Sequence, residues 1–113
     1  MQVLMILYKS ALDIDRVLQL FRERSATYQA IEGLQQKFYV REPSTNRVGG
    51  IYLFDSQEKL EAFRRASLEN IRTAYQFTEP PIVHAFDVVQ VLHDDTSGPA
   101  GREDRQDARR TSV

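Results

Sequence analysis

Gly49-Gly50-Ile51-Tyr52-Leu53-Phe54-Asp55 is the stretch around which the rest of the chain can be read. Ile51 to Phe54 is a short run of β-branched and aromatic residues, bounded by a glycine pair before it and by Asp55-Ser56 after it, so it reads as a strand. A side-chain oxygen at Asp55 or Ser56 can accept orphan backbone N–H groups, and Asp55 and Glu58 have capping-box spacing. The chain therefore turns from strand directly into helix.

Upstream, Glu42 to Arg47 holds Pro43, Ser44 and Asn46, which is turn chemistry. Before it, Leu34 to Arg41 alternates two sets, Leu34, Gln36, Phe38 and Val40 against Gln35, Lys37, Tyr39 and Arg41, as a strand does. The two strands make a hairpin. Gly33 is a plausible C-terminal stop for a preceding helix. That helix is capped by Asp13 or Asp15, and Ile14, Val17, Leu18, Phe21, Tyr28 and Ile31 form its apolar stripe. Val3 to Tyr8 is a continuous apolar run, the pattern of a strand buried on both faces.

Downstream, a second helix over about Gln57 to Tyr75 puts Leu60, Phe63, Ser67, Ile71 and Ala74 on one side, and Pro80-Pro81 forbids its continuation. Ile82 to Leu92 reads as a final strand, again apolar on both parities. Strand, helix, strand, strand, helix, strand is the split βαβ of a ferredoxin-like α+β fold with a four-stranded antiparallel sheet. Two helices cover one face of such a sheet. The apolar runs of the first and last strands imply that the other face is buried too, and the simplest cover is a second copy, giving a homodimer with two sheets packed face to face.

The chain has 113 residues, enough for one domain, taken as residues 1–93. From Asp94 the composition changes to Asp, Thr, Ser, Gly and Pro followed by mixed charges without large apolar residues, so 94–113 reads as a flexible charged tail. A formal charge of −1 offers no basic field for nucleic acid and no attraction to an anionic membrane. With no cysteine there are no disulfides, thiolate nucleophiles or Cys metal sites. Met1 to Tyr8 is only a strand long and lacks a basic leader, so neither a signal peptide nor a membrane span is expected, and a cytoplasmic location follows by default.

The order of elements, the Gly33-Leu34 start of a strand, the Gly49-Gly50-Ile51-Tyr52-Leu53-Phe54 strand and the Ala85-Phe86-Asp87-Val88 ending resemble a small mono-oxygenase family within the dimeric α/β-barrel superfamily. The resemblance spans roughly residues 2–92. It implies the ferredoxin-like protomer, a paired-sheet dimeric barrel, and a pocket between each sheet and its own helices. It also implies oxygen chemistry on a polycyclic aromatic, polyketide-like or quinol substrate with no flavin, haem or metal. Some superfamily members place a Trp and an Asn in the pocket. This chain has no Trp, and its Asn46 and Asn70 fall in a turn and on the second helix.

In such chemistry the substrate supplies the electrons, and the protein supplies an apolar pocket, a proton acceptor and shielding from water. His84, in mid-strand, and Tyr39 are the candidate catalytic residues; Tyr8, Tyr52, Lys37 and Tyr28 are candidates for binding substrate. The bland readings stand beside these. A lone strand histidine is more often a packing or rim residue, and strand tyrosines mostly supply apolar area with a hydroxyl satisfied at an edge. Asp87, interrupting an apolar strand, either points to an edge or is half of a structural ion pair with Arg16, Lys9 or a cation of a partner chain. His84 and His93 are too far apart for a His-based metal site. The same pocket could serve a polyketide cyclase or isomerase working without O2, or a non-catalytic dimer holding a hydrophobic ligand. Which strand parity faces the helices stays open, and a one-residue slip moves every candidate to the opposite face.

Overall fold

The computed structural model describes residues 1–93, and the tail expected at 94–113 lies outside the described residues. The elements are β1 (Gln2–Tyr8), α1 (Ile14–Gln29), β2 (Leu34–Glu42), β3 (Arg47–Phe54), α2 (Gln57–Tyr75) and β4 (Ile82–Asp87). The four strands form one sheet in the order β2-β3-β1-β4 with every neighbouring pair antiparallel. This is the ferredoxin-like α+β fold that the pattern predicts. Among the described residues no helix is long and apolar enough to cross a membrane.

Local chemistry sets the element ends. Asp13 caps α1, its side chain accepting from the Arg16 backbone N–H, and Ser56 does the same for α2 through Lys59. Asp55 is left free to meet the Lys59 ammonium at 3.4 Å. α1 stops at Gln29, earlier than Gly33; that glycine, at φ 81°, instead makes the turn that leads into β2. α2 ends before the proline pair, because Gln76 goes left-handed and returns its N–H to the Arg72 carbonyl. Asn46, also left-handed, closes the β2–β3 hairpin, its N–H donating to the Glu42 carbonyl at 2.9 Å.

The last strand is shorter than the expected Ile82 to Leu92. β4 lies at the sheet edge with β1 as its neighbour, and β1 begins at Gln2. One further bond runs from the Val88 N–H to the Met1 carbonyl, and Val89 and Leu92 stand exposed beyond it.

Register assigns the faces. Tyr39, Gly50, Ile6 and Val83 form one cross-strand row, and Lys37, Tyr52, Leu4 and Ala85 form the next on the same face. Leu4, Ile6, Tyr8, Tyr52 and Phe54 on this face are buried under Val17, Phe21 and Tyr28 of α1 and Leu60, Phe63, Ile71 and Tyr75 of α2. Leu18, expected on the buried stripe of α1, is exposed. The opposite face carries the row Phe38, Ile51, Met5 and His84, with no helix over it, and Phe38 and Phe86 are more than half exposed.

Candidate functional site

All five tyrosines of the chain meet between the sheet and the helices. Tyr28 of α1 packs against Tyr52 of β3 (ring centroids 6.0 Å apart) and edge-on against Tyr39 of β2 (6.4 Å). Phe21 bridges Tyr39 (4.5 Å) to Tyr75 of α2 (5.5 Å), and Tyr75 touches Tyr8 of β1 at 5.4 Å.

An irregularity in β2 brings this about. Leu34 pairs with Phe54 but Gln36 pairs with Leu53, so one extra residue is inserted and the parity of the strand flips. Strict alternation would place Phe38 on Leu34's face. The bulge instead sends Leu34, Lys37, Tyr39 and Arg41 toward the helices and Phe38 away from them, which corrects the expected grouping of Leu34 with Gln36, Phe38 and Val40.

Lys37 lies inside the aromatic cluster. Its Nζ is 3.1 Å from the centroid of the Tyr28 ring, 4.1 Å from Tyr39 and 4.9 Å from Tyr52. Burial, with the nearby Arg24 guanidinium adding to it, pushes the Lys37 amine down to about 6 from its ordinary 10.5. The ring faces favour the ammonium, by ~2 kcal/mol or more for a desolvated contact, and so oppose the effect of burial without reversing it. The amine is therefore free of its extra proton at neutral pH. Burial has the opposite consequence for the phenols: Tyr8, Tyr52, Tyr75 and Tyr39 are all pushed above the usual range and keep their protons. One proton acceptor thus stands among neutral O–H donors.

The cluster opens to solvent through a groove of about 210 Å³ between α1 and the start of β2. Ser25, Tyr28 and Gln29 form one wall, and Leu34 to Lys37 with Tyr39 form the other. Among the described residues no group of three or more His, Asp and Glu side chains comes together as a metal site.

Of the sequence candidates, Tyr39, Tyr28, Tyr52 and Lys37 converge here, and Tyr8 joins them through Tyr75. His84 does not. It pairs with Met5 on the open face of the sheet, exposed and with the Phe86 ring 6.2 Å away, so the sheet separates it from Lys37 and Tyr39. Asp87 is also exposed, at the end of β4, and pairs with no cation among the described residues; Arg16 instead meets Glu23 at 3.5 Å. Asp87 therefore takes the edge placement, where a solvated carboxylate has no desolvation cost to offset, and the alternative pair with Arg16 or Lys9 is not formed. Two residues that pattern reading does not single out complete the cluster. Arg24 follows Phe21 by three positions and precedes Tyr28 by four, which places it on the inner stripe of α1, and Tyr75 follows Ile71 by one helical turn.

Comparison with known proteins agrees with this architecture. Rv0793 from Mycobacterium tuberculosis is 12% identical with a TM-score of 0.64, over 81% of this chain and 98% of that one. SnoaB, a cofactor-independent oxygenase from Streptomyces nogalater, is 11% identical with a TM-score of 0.64, over 82% and 97%. A Deinococcus radiodurans protein described as a "putative antibiotic biosynthesis monooxygenase" is 13% identical with a TM-score of 0.61, over 83% and 98%. At such identities the likeness establishes the fold alone. No curated protein matches the chain. A family profile described as "Putative mono-oxygenase ydhR" matches residues 6–99, and the chain belongs to that family.

Proposed function

We propose that the protein is a cofactor-independent mono-oxygenase in which the Lys37 amine removes the substrate's acidic proton. The observation that carries this reading is an amine held among three tyrosine rings at the inner wall of an open groove, with burial keeping it unprotonated at neutral pH. Membership of a mono-oxygenase family and a fold shared with a cofactor-independent oxygenase support it.

The reaction balances without a cofactor. The amine takes a proton from a phenol or an activated C–H, and the resulting enolate or phenolate reduces O2 and bonds to it at carbon. Loss of water from the peroxide leaves a carbonyl. One oxygen atom enters the product, the other leaves as water, and the substrate supplies all four electrons. Tyr28, Leu34 and Tyr39 supply the apolar part of the groove lining that keeps water from the reactive carbanion. Lys37 replaces His84 as the proton acceptor.

Groove size bears on the substrate. Pockets that bury drug-sized ligands run ~300–1,000 Å³, and about 210 Å³ favours a one-ring quinol over the polycyclic alternatives. Oxygen uptake by the purified protein with a hydroquinone, followed by product mass under labelled O2, tests the reaction. Uptake with one labelled oxygen in the product is expected. Isomerised or cyclised product without uptake would turn the same base into a cyclase or isomerase, and saturable binding without product would make the protein a ligand carrier.

The protein also acts as a homodimer on this reading. The open sheet face is apolar along Phe38, Ile51 and Met5 and continues through Val3, Leu53 and Phe86. A patch of this breadth is costly to leave in water, and a second copy offers the same surface in return.

A further inference from the structure

Among the described residues, three buried side-chain polar atoms have no hydrogen-bond partner: Arg24 Nε, Tyr39 Oη and Tyr75 Oη. They are not scattered. The Arg24 guanidinium lies 5.7 Å from the Tyr75 ring centroid, and the Phe21 ring lies between Tyr75 and Tyr39. Arg24 opposes the burial-driven rise of the Tyr75 phenol, yet makes no well-formed bond to its oxygen. No carboxylate among the described residues pairs with Arg24.

The trio is richer in donors than in acceptors. A guanidinium only donates, and phenols that hold their protons have an O–H to give. Buried donors left unsatisfied are costly, and a group of them gathered around Phe21 fits an acceptor that enters from outside the fold. One of them is positively charged, so the fitting acceptor is an anionic oxygen. Tyr39 also lines the groove, which gives such an oxygen its way in. We propose that Arg24, Tyr39 and Tyr75 form an oxyanion-binding site that receives the ionised hydroxyl of a phenol or enol, so that this protein holds its substrate as the conjugate base that Lys37 generates.

The site deepens the mono-oxygenase reading, since the anion it holds is the species that reacts with O2, and Arg24 and Tyr75 become specificity-determining residues. Lys37, once protonated, would also attract an anion, and Tyr8, its phenol pushed up by burial, stays a neutral donor nearby. A test must therefore remove the Lys37 charge.

The probe is 4-nitrophenol, whose ionisation is visible by absorbance, with 4-nitroanisole as a matched ligand that cannot ionise. Binding of each is measured under nitrogen to the Lys37→Met protein, with and without Arg24→Gln. The expected result is that the phenolate binds at least tenfold more tightly than the anisole and that bound nitrophenol ionises at least one pH unit below the free compound. Arg24→Gln should abolish this preference and leave anisole binding within about twofold. Tyr75→Phe, which keeps the aromatic packing, should lower phenolate affinity severalfold, and it carries the test if the Arg24 variant fails to fold. Nitrophenol that ionises at the same or a higher pH when bound, or a preference untouched by both variants, overturns the proposal. Because no oxygen is present, phenolate preference in a protein that never consumes O2 would sink the oxygenase reading and leave the anion site standing.

Discussion

The Lys37 Nζ lies 3.1 Å from the centre of the Tyr28 ring, closer than to the Tyr39 or Tyr52 ring, so the strand amine and the helix phenol meet across the groove. If this amine is the base, its titration governs the rate. Only the unprotonated form accepts a proton, so kcat/KM should rise about tenfold per pH unit below about 6 and level off above it. Lys37→Met should lower kcat/KM by ~10²–10⁴-fold, the usual contribution of a positioned base. A steady-state pH profile with a quinol substrate measures both.

The same group predicts a stability signature independent of turnover. Lys37 is lowered in the fold relative to the unfolded chain, so between about 6 and 10.5 the unfolded state binds more protons. Stability contributed by this group therefore rises with pH through that window and is lost as pH falls through about 6. Lys37→Met removes the dependence. Thermal melts should show the variant's advantage over the wild type to be largest near pH 6 and to shrink toward pH 10.

The two glycines of the β3 motif should fail differently. A Cβ at Gly49 would sit 1.8 Å from the Ile6 carbonyl oxygen, backbone against backbone, so Gly49→Ala should cost on the order of 3 kcal/mol or prevent folding. A Cβ at Gly50 would meet the Tyr52 ring, 2.9 Å from its Cζ, and that ring is held by Phe63 at 4.9 Å and by Tyr28. Gly50→Ala should leave a folded protein whose Lys37 titration, followed by NMR, moves back toward the ordinary lysine range.

His84 stands across the sheet from the groove, so His84→Ala should change kcat/KM by less than about twofold. A large loss with the melting temperature unchanged would place chemistry on the open face.

Ile51 lies in mid-row on that open face, between Phe38 and Met5. Sedimentation should give twice the mass of one chain for the wild type and the mass of one chain for Ile51→Arg, because a buried unpaired guanidinium is not tolerated between two sheets.

The order of elements, the cap candidates and most of the apolar stripes, Leu18 and Ile14 excepted, were legible along the chain, because they depend on neighbours within a few residues of each other. α2 begins and ends where its pattern says, from Gln57 to Tyr75. Tertiary structure decided whatever depends on a distant partner. The last strand stops at Asp87, where its pairing register with β1 ends at Gln2. One inserted residue near Gln35 sets the parity of β2, which no periodicity announces, and so Lys37 and Tyr39 face the helices while Phe38 does not. The register of β4 against β1 sends His84 to the other side. Arg24 looks like one more surface cation in a charged helix until the fold leaves its Nε buried beside two phenols. Sequence set out the tyrosines, the lysine and the strands that carry them. Only the packing of α1 and α2 over the bulged sheet turned those residues into one site, because burial and side-chain direction belong to the assembled layers.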